Sequence, residues 1–164
     1  MSGWQKIIGW GYNLLFIAVP LIWLPNTSEL FEFNKIILTY FLTIIIVGAW
    51  MVRCISEKKL IFKRTVLDIP VLIFLLSTLI STLFSLDLHT SIYGYYSRWN
   101  GGLLSLLSYS LLYWAFVANI DRKAALQTVH YSMITVVVIA IYGTLEHFGW
   151  SPSCLFTRGS WGVD

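Results

Sequence analysis

The feature that most constrains the fold is a series of five long apolar stretches, none of which carries a formal charge in its interior. They cover residues 7–24, 36–52, 69–86, 103–120 and 124–145. A helix needs about 20 mostly apolar residues to cross the hydrocarbon core of a bilayer. A backbone in lipid must satisfy its own hydrogen bonds, which favours helices. The sequence therefore predicts an all-α, polytopic membrane protein with five transmembrane helices in a bundle.

Composition argues against the other common classes of protein. Hydrophobic residues make up 57% of the chain and charged residues 12%, whereas a soluble domain carries about 25% charged residues. The apolar runs at 44–47 and 136–139 do not alternate with polar residues, as the strands of a membrane barrel do. The net charge of +3 is too small to indicate nucleic acid as a partner. Cys54 and Cys154 belong to no cluster with metal-ligand spacing, so we expect neither a metal nor a cofactor.

The distribution of basic residues predicts the orientation of the helices. Cytoplasmic loops of membrane proteins carry an excess of Lys and Arg. Eight basic residues fall on one side of the predicted spans: Lys6, Arg53, Lys58, Lys59, Lys63, Arg64, Arg122 and Lys123. Three fall on the other side: Lys35, Arg98 and Arg158. We therefore expect the amino terminus in the cytoplasm and the segment after residue 146 on the outer side.

Small hydroxyl residues form a stripe on the third predicted span. Its members are Ser77, Ser81 and Ser85, with Thr78 and Thr82 beside them, and the fourth span offers Gly101, Ser105 and Ser108. Such residues let helix backbones approach closely and bond across the contact. We interpret the two stripes as a packing contact between the third and fourth spans, and the other interpretation is a polar path for a substrate.

The segment from residue 87 to residue 102 is the most informative part of the sequence for function. It holds Arg98 among Tyr95, Tyr96, Trp99 and Asn100, together with three glycines. A guanidinium suits phosphate because it donates two parallel, charge-assisted hydrogen bonds, and flat aromatic rings suit the apolar faces of sugars. The segment is compatible with a site for a lipid-linked sugar diphosphate. It is equally compatible with an interfacial loop in which Arg98 stacks on Trp99 or pairs with lipid phosphate.

A family resemblance bears on this choice. Residues 77–87, Ser91 and residues 94–102 resemble the early part of bacterial O-antigen ligases and O-antigen polymerases. Residues 40–70, two spans around a basic loop, are similar in layout. The resemblance implies the amino-terminal membrane part of a glycosyl-transfer enzyme in the bacterial inner membrane. Such an enzyme moves a glycan from an undecaprenyl diphosphate carrier to an acceptor on the outer face.

The resemblance also implies roles for individual residues. Arg98 would bind the carrier phosphate, and Tyr95, Tyr96, Trp99 and Asn100 would contact the sugar or headgroup. The family's catalytic Arg and His residues lie in a large outer loop, which we expect beyond residue 164, so that this segment alone would transfer no sugar. The expected partners are membrane lipids and the lipid-linked glycan carrier. The alternative is a non-catalytic small integral membrane subunit or a lipid-binding module.

The predicted orientation can be tested with the two cysteines, because it places them on opposite sides of the membrane. A membrane-impermeant maleimide added to intact cells should label Cys154 and spare Cys54. The variants Cys54→Ser and Cys154→Ser identify which thiol is modified. Labelling of Cys54 alone would show that the orientation is inverted.

Overall fold

The computed structural model describes residues 3–22 and 32–148, and these residues form six helices and no strand. The helices are α1 (Gly3–Leu21), α2 (Glu32–Ser56), α3 (Asp68–Leu83), α4 (Leu88–Tyr93), α5 (Leu103–Asn119) and α6 (Arg122–His147). The prediction of an all-α protein is confirmed. Every helix except α4 overlaps one of the five predicted apolar stretches. Leu24 at the end of the first stretch, Cys154 and Arg158 lie outside the described residues.

Length and composition qualify two of the described helices, α2 and α6, as able to cross a membrane. Helices α3 and α5 have 16 and 17 residues. At 1.5 Å per residue they are about 24–26 Å long, which is less than the roughly 30 Å of a hydrocarbon core. Helix α1 is not among those that qualify; it includes Gln5, Lys6 and Asn13, and Pro20 lies in its last turn. The crossing of the membrane by all five long helices therefore stays a prediction.

Helix α1 packs against α2 and α6 and, over a smaller area, against α5. The core around it consists of Ile8, Tyr12, Ile46, Ala49, Leu112, Ala115 and Ile120. The Tyr12 hydroxyl donates a hydrogen bond of 2.6 Å to the Leu112 carbonyl. A buried phenol without a partner would be costly, so this bond sets the position of α1 on α5. The Tyr12 ring also meets the Phe116 ring edge-on, with 5.0 Å between centroids.

Helix α6 packs against α1 through its few buried side chains. The Thr128 hydroxyl donates a hydrogen bond of 2.9 Å to Asn13 Oδ1, and Thr128 and Thr135 are the buried residues of the helix. From Met133 to Ile141 every side chain of α6 except buried Thr135 is apolar and exposed. A helix that is apolar all round is suited to a membrane rather than to water.

A buried cation joins the carboxyl-terminal ends of α2 and α5. Arg53 is buried, and its guanidinium donates hydrogen bonds of 2.8 Å to Asn119 Oδ1 and to Glu57 Oε1. Asn119 in turn donates to the Ala115 carbonyl. A charge can be buried only where such partners surround it. The parallel alignment of α2 and α5 follows from this contact.

A carboxylate at the start of α3 ties that helix to α5. The Thr65 backbone N–H donates to Asp68 Oδ2 at 2.7 Å, and the Trp114 indole N–H donates to Asp68 Oδ1 at 3.1 Å. The bond from the Thr65 backbone is the main cause that lowers the pKa of Asp68, with the Thr65 hydroxyl, Trp114 and Arg64 contributing. Asp68 therefore stays ionised at neutral pH and accepts bonds from both sides of the contact.

These contacts place the eight basic residues assigned to one side at a single end of the bundle. Gly11 lies against Ile46, and only ten residues separate the end of α1 from the start of α2. That connection is too short for a parallel pair, so the two helices run antiparallel. Helix α6 starts where α5 ends, after a turn at residues 120–121. Lys35 and Arg98 lie at the opposite end. The separation of charge read from the sequence thus has a counterpart in the fold, and which end faces the cytoplasm stays a prediction.

The predicted packing of the third span on the fourth is present as the contact of α3 with α5, but it uses the threonines of the stripe rather than Ser77 and Ser81. Ser77 and Ser81 are exposed, whereas Thr82 is buried and Thr78 is half-buried. The less exposed positions of α3 are 68, 71, 75, 78 and 82, whose alternating three- and four-residue spacing is typical of a helix–helix seam. Threonine adds a methyl group to this seam, and the Thr82 hydroxyl bonds the Thr78 carbonyl. On α5, Ser105 and Ser108 are buried as expected.

Two glycines of α1 provide a matched test of the packing between α1 and α2. A Cβ at Gly11 would lie 2.7 Å from Ile46 Cγ1, and Ile46 is fully buried, so it has no space to move. We expect Gly11→Ala to lower the free energy of unfolding by about 1–3 kcal/mol, the usual cost of overpacking. Gly9→Ala is the control, because a Cβ there meets nothing within 4 Å. Unfolding in mixed micelles measures both variants, and equal stability would contradict this packing.

Candidate functional site

The predicted outer loop begins with the short helix α4, which was not predicted from the sequence. Asp87 caps this helix by accepting hydrogen bonds from the backbone N–H groups of His89 and Thr90 at 3.0 and 3.2 Å. The Thr90 hydroxyl adds a bond of 2.5 Å to the same carboxylate. The bonds from Thr90 are the main cause that lowers the pKa of Asp87. An Asp followed by a hydroxyl residue three positions later was the signal for this helix start.

A tight turn follows α4, and we call residues 94–102 the aromatic–arginine loop. Its two ends touch: a Cβ at Gly94 would lie 2.1 Å from the Asn100 carbonyl oxygen, and one at Gly102 would lie 2.5 Å from the Ile92 carbonyl oxygen. Gly94 also has a φ of +88°, which glycine adopts without strain. Within the turn, the Trp99 N–H donates to the Tyr95 carbonyl at 2.8 Å. The loop is therefore closed by its own backbone.

Four of the predicted site residues, Tyr95, Tyr96, Arg98 and Trp99, are exposed on the aromatic–arginine loop. Tyr95 and Tyr96 have 73% and 82% of their surface exposed, so both rings are open to a ligand. The Arg98 side chain is half exposed, and its Nη1 lies 3.3 Å from Glu32 Oε1 at the start of α2. The guanidinium therefore already has an acidic partner. A phosphate would bind either beside Glu32 or in its place.

Trp99 and Asn100 have structural partners within the fold. The Trp99 carbonyl accepts a hydrogen bond of 3.0 Å from the Tyr40 hydroxyl of α2, and the Trp99 ring lies 5.3 Å from the Tyr93 ring. Asn100 Oδ1 accepts bonds from the Gly101 N–H at 2.9 Å and from the Tyr109 hydroxyl at 3.3 Å. Both residues hold the loop on α2 and α5, and a direct role for them in ligand contact stays a prediction.

Several residues of the site were not predicted from the sequence. Glu32 and Tyr40 are more than fifty positions away from their partners in the loop, so no local pattern could pair them. His89 extends the aromatic cluster, since its ring lies 5.0 Å from that of Tyr93 and 5.7 Å from that of Tyr96. The density of aromatic residues after residue 88 was the only available signal.

The glycines of the loop allow a test of its conformation. We expect Gly94→Ala to open the loop, because its methyl group would overlap the Asn100 carbonyl and its positive φ alone costs about 1–3 kcal/mol. Gly101→Ala is the control: its φ of +87° is equally strained, but nothing lies within 4 Å of a Cβ there. Faster proteolysis within residues 94–102 in the Gly94 variant than in the Gly101 variant is the expected result. Equal rates would show that the close contact does not hold the loop.

The assembled site presents one guanidinium and two phenols at the end of an apolar bundle, on a turn anchored to two helices. This chemistry suits an anionic headgroup with polar groups attached to it. Among the described residues there is no group of three or more His, Cys, Asp and Glu side chains that could hold a metal ion. Comparisons with models of known protein families, with curated proteins and with solved structures gave no match for the chain.

Proposed function

We propose that the chain is the amino-terminal membrane part of an O-antigen ligase- or polymerase-like enzyme in the bacterial inner membrane. The enzyme transfers a glycan from an undecaprenyl diphosphate carrier on the outer face of that membrane. The aromatic–arginine loop binds the headgroup of the carrier. The observation that carries the proposal is the exposure of Tyr95, Tyr96 and Arg98 together on a closed turn at the end of an apolar bundle.

The proposal includes five membrane-spanning helices with the amino terminus in the cytoplasm. It is supported by the two helices that are long and apolar enough to cross and by the exposed apolar faces of α3 and α6. The shorter α3 and α5 can be accommodated by local thinning of the bilayer, at a modest cost per ångström of mismatch. The end of the bundle with eight basic residues then faces the cytoplasm, which puts Arg98 on the outer face.

The pair of Arg98 and Glu32 is compatible with phosphate binding. Both side chains are about half exposed, and exposed ion pairs contribute roughly 0–1 kcal/mol. A diphosphate brings more charge than one carboxylate and matches the geometry of the guanidinium, which has five N–H donors. Glu32 therefore pairs with Arg98 in the absence of ligand and gives way to the diphosphate when it binds.

The alternative is a non-catalytic small integral membrane subunit or lipid-binding module. The exposed apolar face of α6 favours it, because Met133, Val136 and their neighbours offer a broad surface to another membrane helix. A subunit of this kind could bind a lipid phosphate at Arg98 without taking part in glycan transfer. The two proposals differ in whether the carrier's diphosphate and sugar are preferred over an ordinary phospholipid.

Substitution of Arg98 tests the proposed binding of the carrier. In nanodiscs, Arg98→Ala should weaken the binding of undecaprenyl diphosphate by roughly tenfold to a hundredfold, because a charge-assisted hydrogen bond contributes about 1.5–3 kcal/mol. Arg98→Lys should recover part of the loss, since it keeps the charge but not the planar fork. The dissociation constant is measured by thermophoresis, together with the amount of folded protein.

Two further variants serve as controls in the same measurement. Glu32→Gln should tighten binding by up to about fivefold, because it removes a competing ion pair worth at most about 1 kcal/mol. Lys123→Ala removes a cation from the opposite end of the bundle and should change nothing. If Arg98→Ala binds the carrier as tightly as the unmodified protein, the proposed role of Arg98 is wrong.

A further inference from the structure

A groove runs between α2 and α5 directly beneath the aromatic–arginine loop. Its volume is about 470 Å³. Its walls include Tyr40, Ile44, Gly48 and Met51 of α2 and Leu104 and Leu111 of α5. The groove is joined to the loop at one end, because the Tyr40 hydroxyl donates its hydrogen bond to the carbonyl of Trp99, next to Arg98.

The walls of the groove are chemically suited to hydrocarbon. Three residues with hydroxyl groups line it, and each hydroxyl has a partner: Tyr40 donates to the Trp99 carbonyl, and Thr43 and Ser108 donate within their own helices. Thr43 donates to the Thr39 carbonyl at 2.7 Å, and Ser108 donates to the Leu104 carbonyl at 2.9 Å. The remaining lining is almost entirely carbon. A polar ligand would therefore lose its bonds to water on entering, whereas a hydrocarbon chain would lose none.

The length of the groove matches one leaflet of a bilayer. From Tyr40 to Met51 the helix rises about 16 Å at 1.5 Å per residue. Half of a hydrocarbon core is about 15 Å thick. The cationic group of Arg98 stands at the end that meets the loop, where a lipid in the same leaflet would have its phosphate. The apolar groove and the cationic Arg98 at its end are therefore spaced to match the hydrocarbon chain and the anionic phosphate of one lipid.

We propose that this groove holds one hydrocarbon chain of a membrane lipid whose anionic phosphate headgroup lies at Arg98. The inference rests on the proposed function for the position of the membrane and the headgroup. It adds that the chain of the lipid, and not only its headgroup, is recognised. The paired helices α2 and α5 form the chain site, and the loop that they support forms the headgroup site.

Gly48 allows the groove to be filled without disturbing the fold. A Cβ at this position meets nothing within 4 Å, so a larger side chain enters the groove and not the neighbouring helix. Leucine also favours the helix more than glycine does. Gly143 on α6 is a matched control, since a Cβ there also meets nothing within 4 Å and the position lies outside the groove. Gly48→Leu and Gly143→Leu therefore make the same chemical change at two sites.

The experiment uses nanodiscs of phosphatidylcholine that contain a phosphatidylglycerol with a diazirine in its acyl chain. After illumination, the adducts are mapped by mass spectrometry. We expect more labelling at Met51 and Leu111 in the groove than at Met133 and Val136, which report contact with bulk lipid. Gly48→Leu should reduce the groove adducts by roughly tenfold, equivalent to about 1.4 kcal/mol of binding free energy. Gly143→Leu should leave them unchanged.

One change in the protein and one change in the lipid probe test whether Arg98 binds the anionic headgroup. Arg98→Ala should lower the groove adducts, and a diazirine phosphatidylcholine, whose headgroup has no net charge, should label the groove less than phosphatidylglycerol does. Equal labelling of the groove and of α6, or groove labelling that Gly48→Leu does not reduce, would overturn the inference. An absence of groove adducts would show that a protein surface covers the groove and would overturn it as well.

The outcome is distinguishable from that of the proposed function. If Arg98→Ala weakens binding of undecaprenyl diphosphate while Gly48→Leu leaves the groove adducts unchanged, the groove inference is wrong and the proposed function stands. If the groove adducts respond to Gly48→Leu and Arg98→Ala while undecaprenyl diphosphate does not bind, the chain site stands. The carrier proposed for the protein is then wrong.

Discussion

The fold depends on the requirement that each polar side chain within an apolar bundle has a hydrogen-bond partner there. Tyr12 meets it by donating to the Leu112 carbonyl, and Thr128 meets it by donating to Asn13. Arg53 meets it by donating to Asn119 and Glu57. Because lipid-like surroundings offer little else to bond, each contact specifies one alignment of two helices. Together they place α1 against its neighbours and align α2 with α5.

The candidate site follows from the alignment of α2 with α5. At one end of this pair the buried Arg53 joins the two helices, and at the other end Tyr40 and Tyr109 bond the backbone and side chain of the loop. The loop is thus supported on both helices, while Arg98 projects toward Glu32 at the start of α2. The groove that we propose as a chain site is the space left between the same two helices. Headgroup site and chain site share one support, so a change in helix alignment would affect both.

Agreement between sequence and structure differs from one element to another. The five apolar stretches were recognisable because a helix in a membrane needs a long uncharged run, and each overlaps an observed helix. The short helix α4 was missed because six residues are too few for a periodic pattern. The stripe predicted on α3 included both serines and threonines, and the structure buries Thr82 while leaving Ser77 and Ser81 exposed, because the methyl group of threonine also fills the seam. Of the predicted site residues, Tyr95, Tyr96, Arg98 and Trp99 are exposed, and Trp99 and Asn100 also support the loop.

The sequence by itself determined the helical class, the positions of the long helices and the separation of basic residues, because hydropathy and charge act locally along the chain. It also indicated Arg98 and its aromatic neighbours as candidates. Only the tertiary structure decided that Glu32 lies beside Arg98, that Tyr40 supports Trp99, and that a groove opens under the loop. These features depend on which faces of distant helices meet. That choice is made by packing and hydrogen bonding between residues far apart in sequence, which no local pattern records.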